Sequence, residues 1–134
     1  MRPRVEEFQN FIARLYPELG GLDGKPVRCV TLQVTDGCNL CCTYCYQTCK
    51  GHHFMDPELA KRFLTQLLDD RNPYMNSCNT GGIILDLIGG EPLLAIDHIR
   101  EITQWWLEEL IRRDHPWLIR SRVSICSNGT LYRM

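Results

Sequence analysis

Five of the eight cysteines in this 134-residue chain lie within twelve consecutive positions, and this cluster constrains the fold more than any other sequence feature. They are Cys38, Cys41, Cys42, Cys45 and Cys49. Disulfide frameworks spread their cysteines to join distant segments, whereas a tight cluster in a chain that starts without a secretory signal is typical of metal binding. The cluster therefore predicts a metal centre held by one loop, in a soluble protein of the cytoplasm.

Composition and charge exclude several classes of partner. Hydrophobic residues make up 44% of the chain and charged residues 23%, as in ordinary globular domains. The formal net charge is −1, so nothing draws the chain as a whole to nucleic acid or to an anionic membrane surface. The apolar run over residues 83–88 is interrupted by Asp86 and is too short to span a bilayer. We expect neither a nucleic-acid partner nor a membrane partner.

Hydrophobic periodicity predicts alternating strands and helices. Apolar residues at helical spacing indicate a short N-terminal helix over residues 4–16, and a Gly- and Pro-rich loop follows it. We assign residues 1–26 to this helix and linker. The next elements are predicted in the order strand, helix, strand, helix, strand, over residues 27–35, 56–70, 83–88, 96–110 and 123–126. This order predicts an α/β domain over residues 27–134 with parallel strands and right-handed crossovers.

The same patterns predict which side chains are buried. The apolar stripe of the first long helix is predicted to consist of Leu59, Ala60, Phe63, Leu64, Leu67 and Leu68. Cys29 and Cys126 lie in predicted strands and are assigned to the core, whereas His98 and His115 are assigned to the surface. Trp105 and Trp106 cannot both face the same core, so one of them is expected at a contact surface.

A polar or sulfur-rich turn follows each predicted strand. The cysteine loop follows the first strand, Gly89-Gly90-Glu91-Pro92 the second, and Ser127-Asn128-Gly129-Thr130 the third. Ligands of parallel α/β proteins bind at the carboxyl ends of the strands, where these three turns are expected to meet. Each of the last two turns by itself is also typical of an ordinary tight turn.

The cysteine spacing indicates an iron–sulfur site. Cys38, Cys42 and Cys45 form a Cys-x3-Cys-x2-Cys pattern, and three thiolates in one loop can hold three irons of a 4Fe-4S cluster and leave the fourth iron open. Two other registers of the same loop also supply three thiols. These are Cys38, Cys41 and Cys45, and Cys41, Cys45 and Cys49.

A zinc site is the alternative interpretation. Two abutting Cys-x2-Cys pairs, with Cys49, His52 and His53 nearby, have the composition of a zinc ligand set. Zinc pairs are normally separated by a longer connection, so abutting pairs suit a tetrahedral ion poorly. On this interpretation the chain is a non-catalytic zinc- or iron–sulfur-holding module that binds a partner chain.

Taken in order, the cysteine triad and the turns at 89–92 and 127–130 resemble the radical S-adenosylmethionine (radical SAM) superfamily. Tyr44 and Tyr46, which flank Cys45, further resemble its peptide- and protein-modifying branch, the SPASM-type members that include sulfatase-maturing enzymes and peptide maturases. The resemblance covers about residues 27–131. It implies an enzyme whose 4Fe-4S cluster cleaves S-adenosylmethionine reductively, to a 5′-deoxyadenosyl radical that abstracts hydrogen from a peptide or protein side chain.

The resemblance also implies roles for individual residues. Cys38, Cys42 and Cys45 would be the iron ligands. The expected contacts with S-adenosylmethionine are Gly89, Gly90, Glu91 and Pro92 at the methionine amino group, Ser127 and Asn128 at the ribose, and Tyr44 near the adenine. The Glu91 carboxylate suits an ammonium group or a ribose hydroxyl. An electron donor such as flavodoxin or ferredoxin is implied as a partner.

The family core resembles a partial TIM-type barrel of six βα units. One unit takes roughly 30 residues, so residues 27–134 hold about three of them. We therefore expect the first half of a (β/α)6 barrel, with the remaining strands and any auxiliary-cluster domain supplied by a longer protein or by a second polypeptide. The isolated chain is expected to be weakly active or inactive.

Overall fold

The computed structural model describes residues 24–132. Its strands are β1 (Val27–Thr35), β2 (Gly82–Gly89) and β3 (Ser121–Ile125), and its helices are α1 (Pro57–Leu68) and α2 (Ile96–Arg112). Short 3-10 turns at Pro92–Ala95 and Leu118–Arg120 precede α2 and β3. The predicted order of strands and helices is confirmed. The helix predicted over residues 4–16 lies outside the described residues.

The three strands form one parallel sheet in the order β1-β2-β3. Leu32 pairs with Leu87, which in turn pairs with Ile125, so the strands keep a common register. Because neighbouring strands are parallel, all three carboxyl ends lie at the same edge of the sheet. The α/β class built from parallel βα units is therefore confirmed, while barrel closure stays a prediction.

One face of the sheet packs against both helices. Alternate residues of β1 (Val30, Leu32 and Val34) are buried there, because successive strand side chains point to opposite faces. Cys29 lies on the opposite face of β1 and is exposed, as is Cys126 beyond β3. The prediction that these two cysteines belong to the core is wrong, since no element within residues 24–132 covers that face.

Local sequence signals place α1 as predicted. Asp56 caps the helix by accepting a hydrogen bond from the Glu58 amide at 3.0 Å, and Pro57 occupies the first turn. The buried stripe is narrower than predicted and consists of Ala60, Leu64, Leu67 and Leu68. Leu59 and Phe63 lie one helical turn apart on the flank of this stripe and are 51% and 41% exposed.

Buried aromatic side chains form the part of the core between α2 and the start of β3. Trp106 is buried and donates from Nε1 to Ser121 Oγ at 2.8 Å, which joins α2 to the start of β3. Trp105 is partly buried against the same core, so only one of the two neighbouring tryptophans is fully enclosed. The surface position predicted for His115 is wrong, because its ring is buried 4.7 Å from that of Trp117. This burial lowers the pKa of His115.

An ion-pair network joins the carboxyl ends of the two helices. Arg113 contacts Asp69 at 2.5 Å and Glu109 at 2.9 Å, and Arg112 contacts Glu109 at 2.6 Å. The two guanidinium groups lower the pKa of Glu109 from 4.5 to about 2, with the hydrogen bond from Arg112 the largest cause. The folded state therefore favours the Glu109 carboxylate over its protonated form.

We expect this network to stabilise the protein at neutral pH and to fail in acid. Because the folded pKa of Glu109 lies below its ordinary value, its contribution is complete above pH 4.5 and is lost as the pH falls toward about 2. The Glu109→Gln variant should lose about 1 kcal/mol of stability at pH 7 and clearly less near pH 2. Thermal unfolding followed by circular dichroism measures this, with exposed Glu108→Gln as the control. An equal loss for Glu109→Gln at both pH values would contradict the prediction.

Neither helix described by the structure combines the length and the apolar character needed to cross a membrane.

Candidate metal and cofactor site

The turns after β1 and β2 are joined by backbone hydrogen bonds at the carboxyl edge of the sheet. Gly90 N donates to Thr35 O at 3.3 Å, and Glu91 N donates to Gly37 O at 2.9 Å. Gly37 immediately precedes the first cysteine of the loop. The glycine turn is therefore attached to the entry of the cysteine loop.

Glycines at 89 and 90 make this close approach possible. A Cβ atom added to Gly89 would lie 2.6 Å from the carbonyl oxygen of Thr35. A Cβ atom on Gly90 would lie 2.8 Å from Cys38 Cβ and would also overlap the carbonyl oxygen of Gly37. Side chains have no room at either position, so these two glycines are needed for the cysteine loop to pack against the second turn.

The Gly90→Ala variant is expected to displace the cysteine loop. The atoms it would meet belong to the backbone of Gly37 and to Cys38 Cβ, which cannot move away as a flexible side chain could. We expect a loss of about 2 kcal/mol or more in the free energy of unfolding, the usual cost of overpacking. Urea unfolding measures it, with Gly37→Ala as the milder comparison, because its nearest contact would be 3.3 Å. Equal stability of Gly90→Ala and the wild type would contradict the packing described here.

Glu91 joins the second turn to the third. Its side chain is fully buried, and Oε1 accepts hydrogen bonds from Leu93 N and Ser127 Oγ, both at 2.9 Å. Oε2 accepts from Asn128 N at 2.8 Å. A buried carboxylate needs such donors, since an unpaired one would be strongly destabilising. Glu91 thus holds the turn after β3 in place, a role that its sequence position did not reveal. Its expected contact with a cofactor stays a prediction.

The third turn also reaches the cysteine loop through side chains. Asn128 Nδ2 donates to Asn39 Oδ1 at 2.9 Å, and Asn39 Nδ2 donates to Thr130 Oγ1 at 2.7 Å. Asn39 was not among the residues predicted for this site. Its partners lie about 90 residues away, and residue spacing carries no signal for a contact of that range.

All eight cysteines are free thiols, and they differ in exposure. Cys38, Cys42 and Cys45 are each half-buried, whereas Cys41 and Cys49 are exposed. Cys45 N donates to Cys42 O at 3.2 Å, which places these two residues in one tight turn. Within residues 24–132, however, no three His, Cys, Asp or Glu side chains are arranged so that they could hold one metal ion.

The donor set nevertheless suits an iron–sulfur cluster. Thiolates are the ligands that these clusters use, and three half-buried thiols lie on one loop beside the glycine turn. Metal binding commonly completes the folding of its own loop, so we expect the three thiols to be gathered when a cluster binds. Cys38, Cys42 and Cys45 remain the predicted ligands of such a cluster.

The two histidines of the predicted zinc ligand set, His52 and His53, do not lie together with the cysteines as a ligand group in the described residues. His53 Nδ1 lies 2.9 Å from Asp36 Oδ2, and His53 N donates to Asp36 Oδ1 at 2.7 Å. These bonds lower the pKa of Asp36, with the side-chain bond to His53 the largest cause. One ring nitrogen of His53 is thus already paired with a carboxylate, and His52 is exposed.

The remaining predicted residues divide between surface and interior. Tyr44 is 89% exposed and Tyr46 is 81% exposed, so both rings project from the cysteine loop. Pro92 is buried and begins the 3-10 turn that leads into α2. The structure therefore brings the second and third turns into contact with each other and with the backbone of the cysteine loop. The Tyr44 ring, in contrast, lies in solvent.

The structure therefore defines a parallel α/β protein with a thiol-rich loop and a glycine turn at the carboxyl edge of its sheet. Residues 22–121 match a family described as a 4Fe-4S single cluster domain. Because the match covers most of the chain, the protein belongs to this family.

Two curated relatives extend the comparison. The chain is 29% identical over 109 residues, 80% of its length, to a probable GTP 3′,8-cyclase of Pyrococcus horikoshii, of which the match covers 28%. It is 36% identical over 74 residues, 55% of its length, to an uncharacterized protein of Methanocaldococcus jannaschii, of which the match covers 23%. The chain thus spans about a quarter of the length of each relative. The family match and the similarity to the probable GTP 3′,8-cyclase together support a radical SAM-like iron–sulfur family.

Proposed function

We propose that this chain forms the cofactor-binding first half of a radical SAM enzyme that modifies a peptide or protein side chain. The observation that carries the proposal is the convergence of three motifs at one sheet edge. Glu91 donates from its amide to Gly37 O beside the cysteine loop and accepts through its carboxylate from Ser127 and Asn128. A ligand at this edge would be reached from all three turns at once.

In this proposal Cys38, Cys42 and Cys45 are the iron ligands. Their spacing leaves one iron of a 4Fe-4S cluster without a protein ligand, as a chelating cofactor requires. Their partial burial supports this register over the two alternatives, because each alternative uses Cys41, which is exposed. Partial burial limits the access of water and oxidants to a cluster.

When bound, the cluster would supply one electron to S-adenosylmethionine, which releases methionine and a 5′-deoxyadenosyl radical for hydrogen abstraction. The chain itself supplies placement. Gly89 and Gly90 keep the second turn free of side chains, so backbone groups can approach a ligand. Asn128 keeps one side-chain N–H beyond its bond to Asn39, and this hydrogen is available to a ribose hydroxyl. The exposed Tyr44 ring offers a stacking surface for adenine.

The open face of the sheet supports the proposed half-barrel. Thr31, Asp86 and Ser124 lie side by side across the three strands on the face opposite the helices. A polar row of this kind suits the interior of a barrel that encloses substrate. The remaining strands would come from a longer protein or from a second polypeptide.

The substrate and the partners follow from the resemblance. The aromatic residues flanking Cys45 support a peptide or protein substrate, and a flavodoxin or ferredoxin would supply the electron. The clustering of the cysteines on one loop, which is typical of metal binding rather than of a disulfide framework, supports a cytoplasmic location.

Anaerobic reconstitution with iron and sulfide tests the function. We expect the reduced protein to show a 4Fe-4S electron paramagnetic resonance (EPR) signal whose shape changes when S-adenosylmethionine is added. A cluster that does not respond to S-adenosylmethionine would overturn the radical SAM proposal. Stoichiometric zinc without acid-labile sulfide would favour the partner-binding zinc module instead.

A further inference from the structure

A closed ring of three side-chain hydrogen bonds ties the cysteine loop to the third turn. Asn39 Nδ2 donates to Thr130 Oγ1 at 2.7 Å, Thr130 Oγ1 donates to Asn128 Oδ1 at 2.7 Å, and Asn128 Nδ2 donates to Asn39 Oδ1 at 2.9 Å. Each of the three side chains donates once and accepts once around the ring. Hydrogen bonds arranged in a chain or ring polarise and strengthen one another.

The ring is attached to the buried carboxylate of Glu91. Asn128 N is held by the buried Glu91 carboxylate at 2.8 Å, and Thr130 N donates to Asn128 Oδ1 at 3.0 Å. The third turn is therefore held to the second turn through Glu91. Asn39 is an exposed residue on the cysteine loop. Its side chain is hydrogen-bonded to Asn128 and Thr130 of the third turn rather than to other residues of its own loop.

Cys38 consequently lies between two anchors. On one side the carbonyl oxygen of Gly37 accepts from Glu91 N at 2.9 Å, and on the other side Asn39 is held by the ring. Cys42 and Cys45 have no comparable attachment to the third turn among the described contacts, and the hydrogen bond between them lies within the loop. The contacts on both sides of Cys38 thus fix its position relative to the second and third turns, whereas, among the described residues, Cys42 and Cys45 are held only by the cysteine loop itself.

We propose that Asn39 is a positioning residue that fixes Cys38 against the third turn and thereby couples the cysteine loop to the ribose side of the cofactor site. The coupling to S-adenosylmethionine rests on the function proposed above, whereas the positioning of Cys38 is a property of the metal-free chain. The chemistry required of position 39 is one amide donor and one amide acceptor on the same planar group.

The first measurement uses the reduced, metal-free full chain. Alkylation of Cys38 by iodoacetamide, quantified by mass spectrometry, should be roughly threefold to tenfold faster in Asn39→Ala, since two hydrogen bonds of modest strength restrain the loop. Asn39→Asp keeps the acceptor but loses the donor, so its rate should be intermediate. Thr43→Ala is the matched control, because Thr43 is exposed on the same loop and makes no side-chain hydrogen bond to a described residue. Cys78, exposed outside the site, should react at an unchanged rate in every variant and thereby reports intact folding.

A double-mutant cycle distinguishes the loss of the hydrogen-bond ring from a general loosening of the cysteine loop. Thr130→Val removes the acceptor of the Asn39 amide, so adding it to Asn39→Ala should change the Cys38 rate by less than the two single effects multiplied. Full multiplication of the two effects, or equal Cys38 rates in Asn39→Ala and the wild type, would overturn the proposal.

The second measurement uses the reconstituted cluster. Asn39→Ala should keep the iron and sulfide content of the wild type, because it removes no thiol, but should need roughly fivefold more S-adenosylmethionine for the same EPR change, about the effect of one lost hydrogen bond. An unchanged requirement would overturn the coupling. A wild-type cluster without any response would refute the proposed function instead, and the alkylation rates would still decide the role of Asn39.

Discussion

Replacing Cys42 with serine is expected to abolish reconstitution of the 4Fe-4S cluster, whereas replacing its neighbour Cys41 with serine should leave the cluster intact. Cys42 is half-buried and completes the Cys-x3-Cys-x2-Cys register, while Cys41 is exposed. Serine has nearly the same shape as cysteine but is a much poorer ligand for iron–sulfur clusters. Iron content after desalting should fall from about four per chain to below about one in Cys42→Ser.

The two adjacent variants control for each other, since they lie on the same loop and change the same atom. Loss of the cluster in Cys41→Ser with retention in Cys42→Ser would contradict the register and favour one that uses Cys41. Cys49→Ser would then separate the two remaining registers, because only one of them includes Cys49. Circular dichroism of the metal-free variants shows whether the sheet and helices are intact.

Replacing Glu91 with glutamine, although nearly isosteric, is expected to lower the free energy of unfolding by about 2 to 4 kcal/mol. Each carboxylate oxygen accepts from a backbone N–H, Oε1 from Leu93 and Oε2 from Asn128. An amide has only one oxygen, so its NH2 group must face one of these two N–H donors. Rotating the Ser127 hydroxyl cannot repair this mismatch, because a backbone N–H cannot become an acceptor.

Urea unfolding followed by circular dichroism measures the loss. Glu108→Gln is the matched control, since Glu108 is exposed on α2 and its removal should change stability by no more than about 0.5 kcal/mol. Equal stability of Glu91→Gln and the wild type would show that the carboxylate does not hold the third turn. We also expect faster alkylation of Cys38 in Glu91→Gln, because Glu91 supports the frame to which Asn39 is bonded.

Features that depend on neighbouring residues were predicted from the sequence. The bounds of β1 and the Asp56 cap of α1 agree with the structure, because alternation and capping are properties of a few consecutive residues. The parallel order of the strands followed from the alternation of strands and helices. Membership of an iron–sulfur family agrees with the cysteine loop.

Features that depend on distant contacts were missed or wrongly predicted. Cys29 is exposed because the face of β1 on which it lies is uncovered among residues 24–132, and His115 is buried because Trp117 packs on it. The hydrogen bonds that the Glu91 carboxylate accepts from Ser127 and Asn128 were missed, whereas its predicted contact with a cofactor stays a prediction. Asn39 carried no sequence signal at all.

The amino-acid sequence by itself thus determined the alternation of strands and helices and the chemistry of each turn, because both depend on residues that are close together in the chain. Only the tertiary structure decided how the turns are joined. The absence of side chains at Gly89 and Gly90 lets the second turn touch the cysteine loop, and the buried Glu91 carboxylate fastens the third turn to the second. Such contacts arise when the parallel strands end at one edge, and they bring together residues that are far apart in sequence.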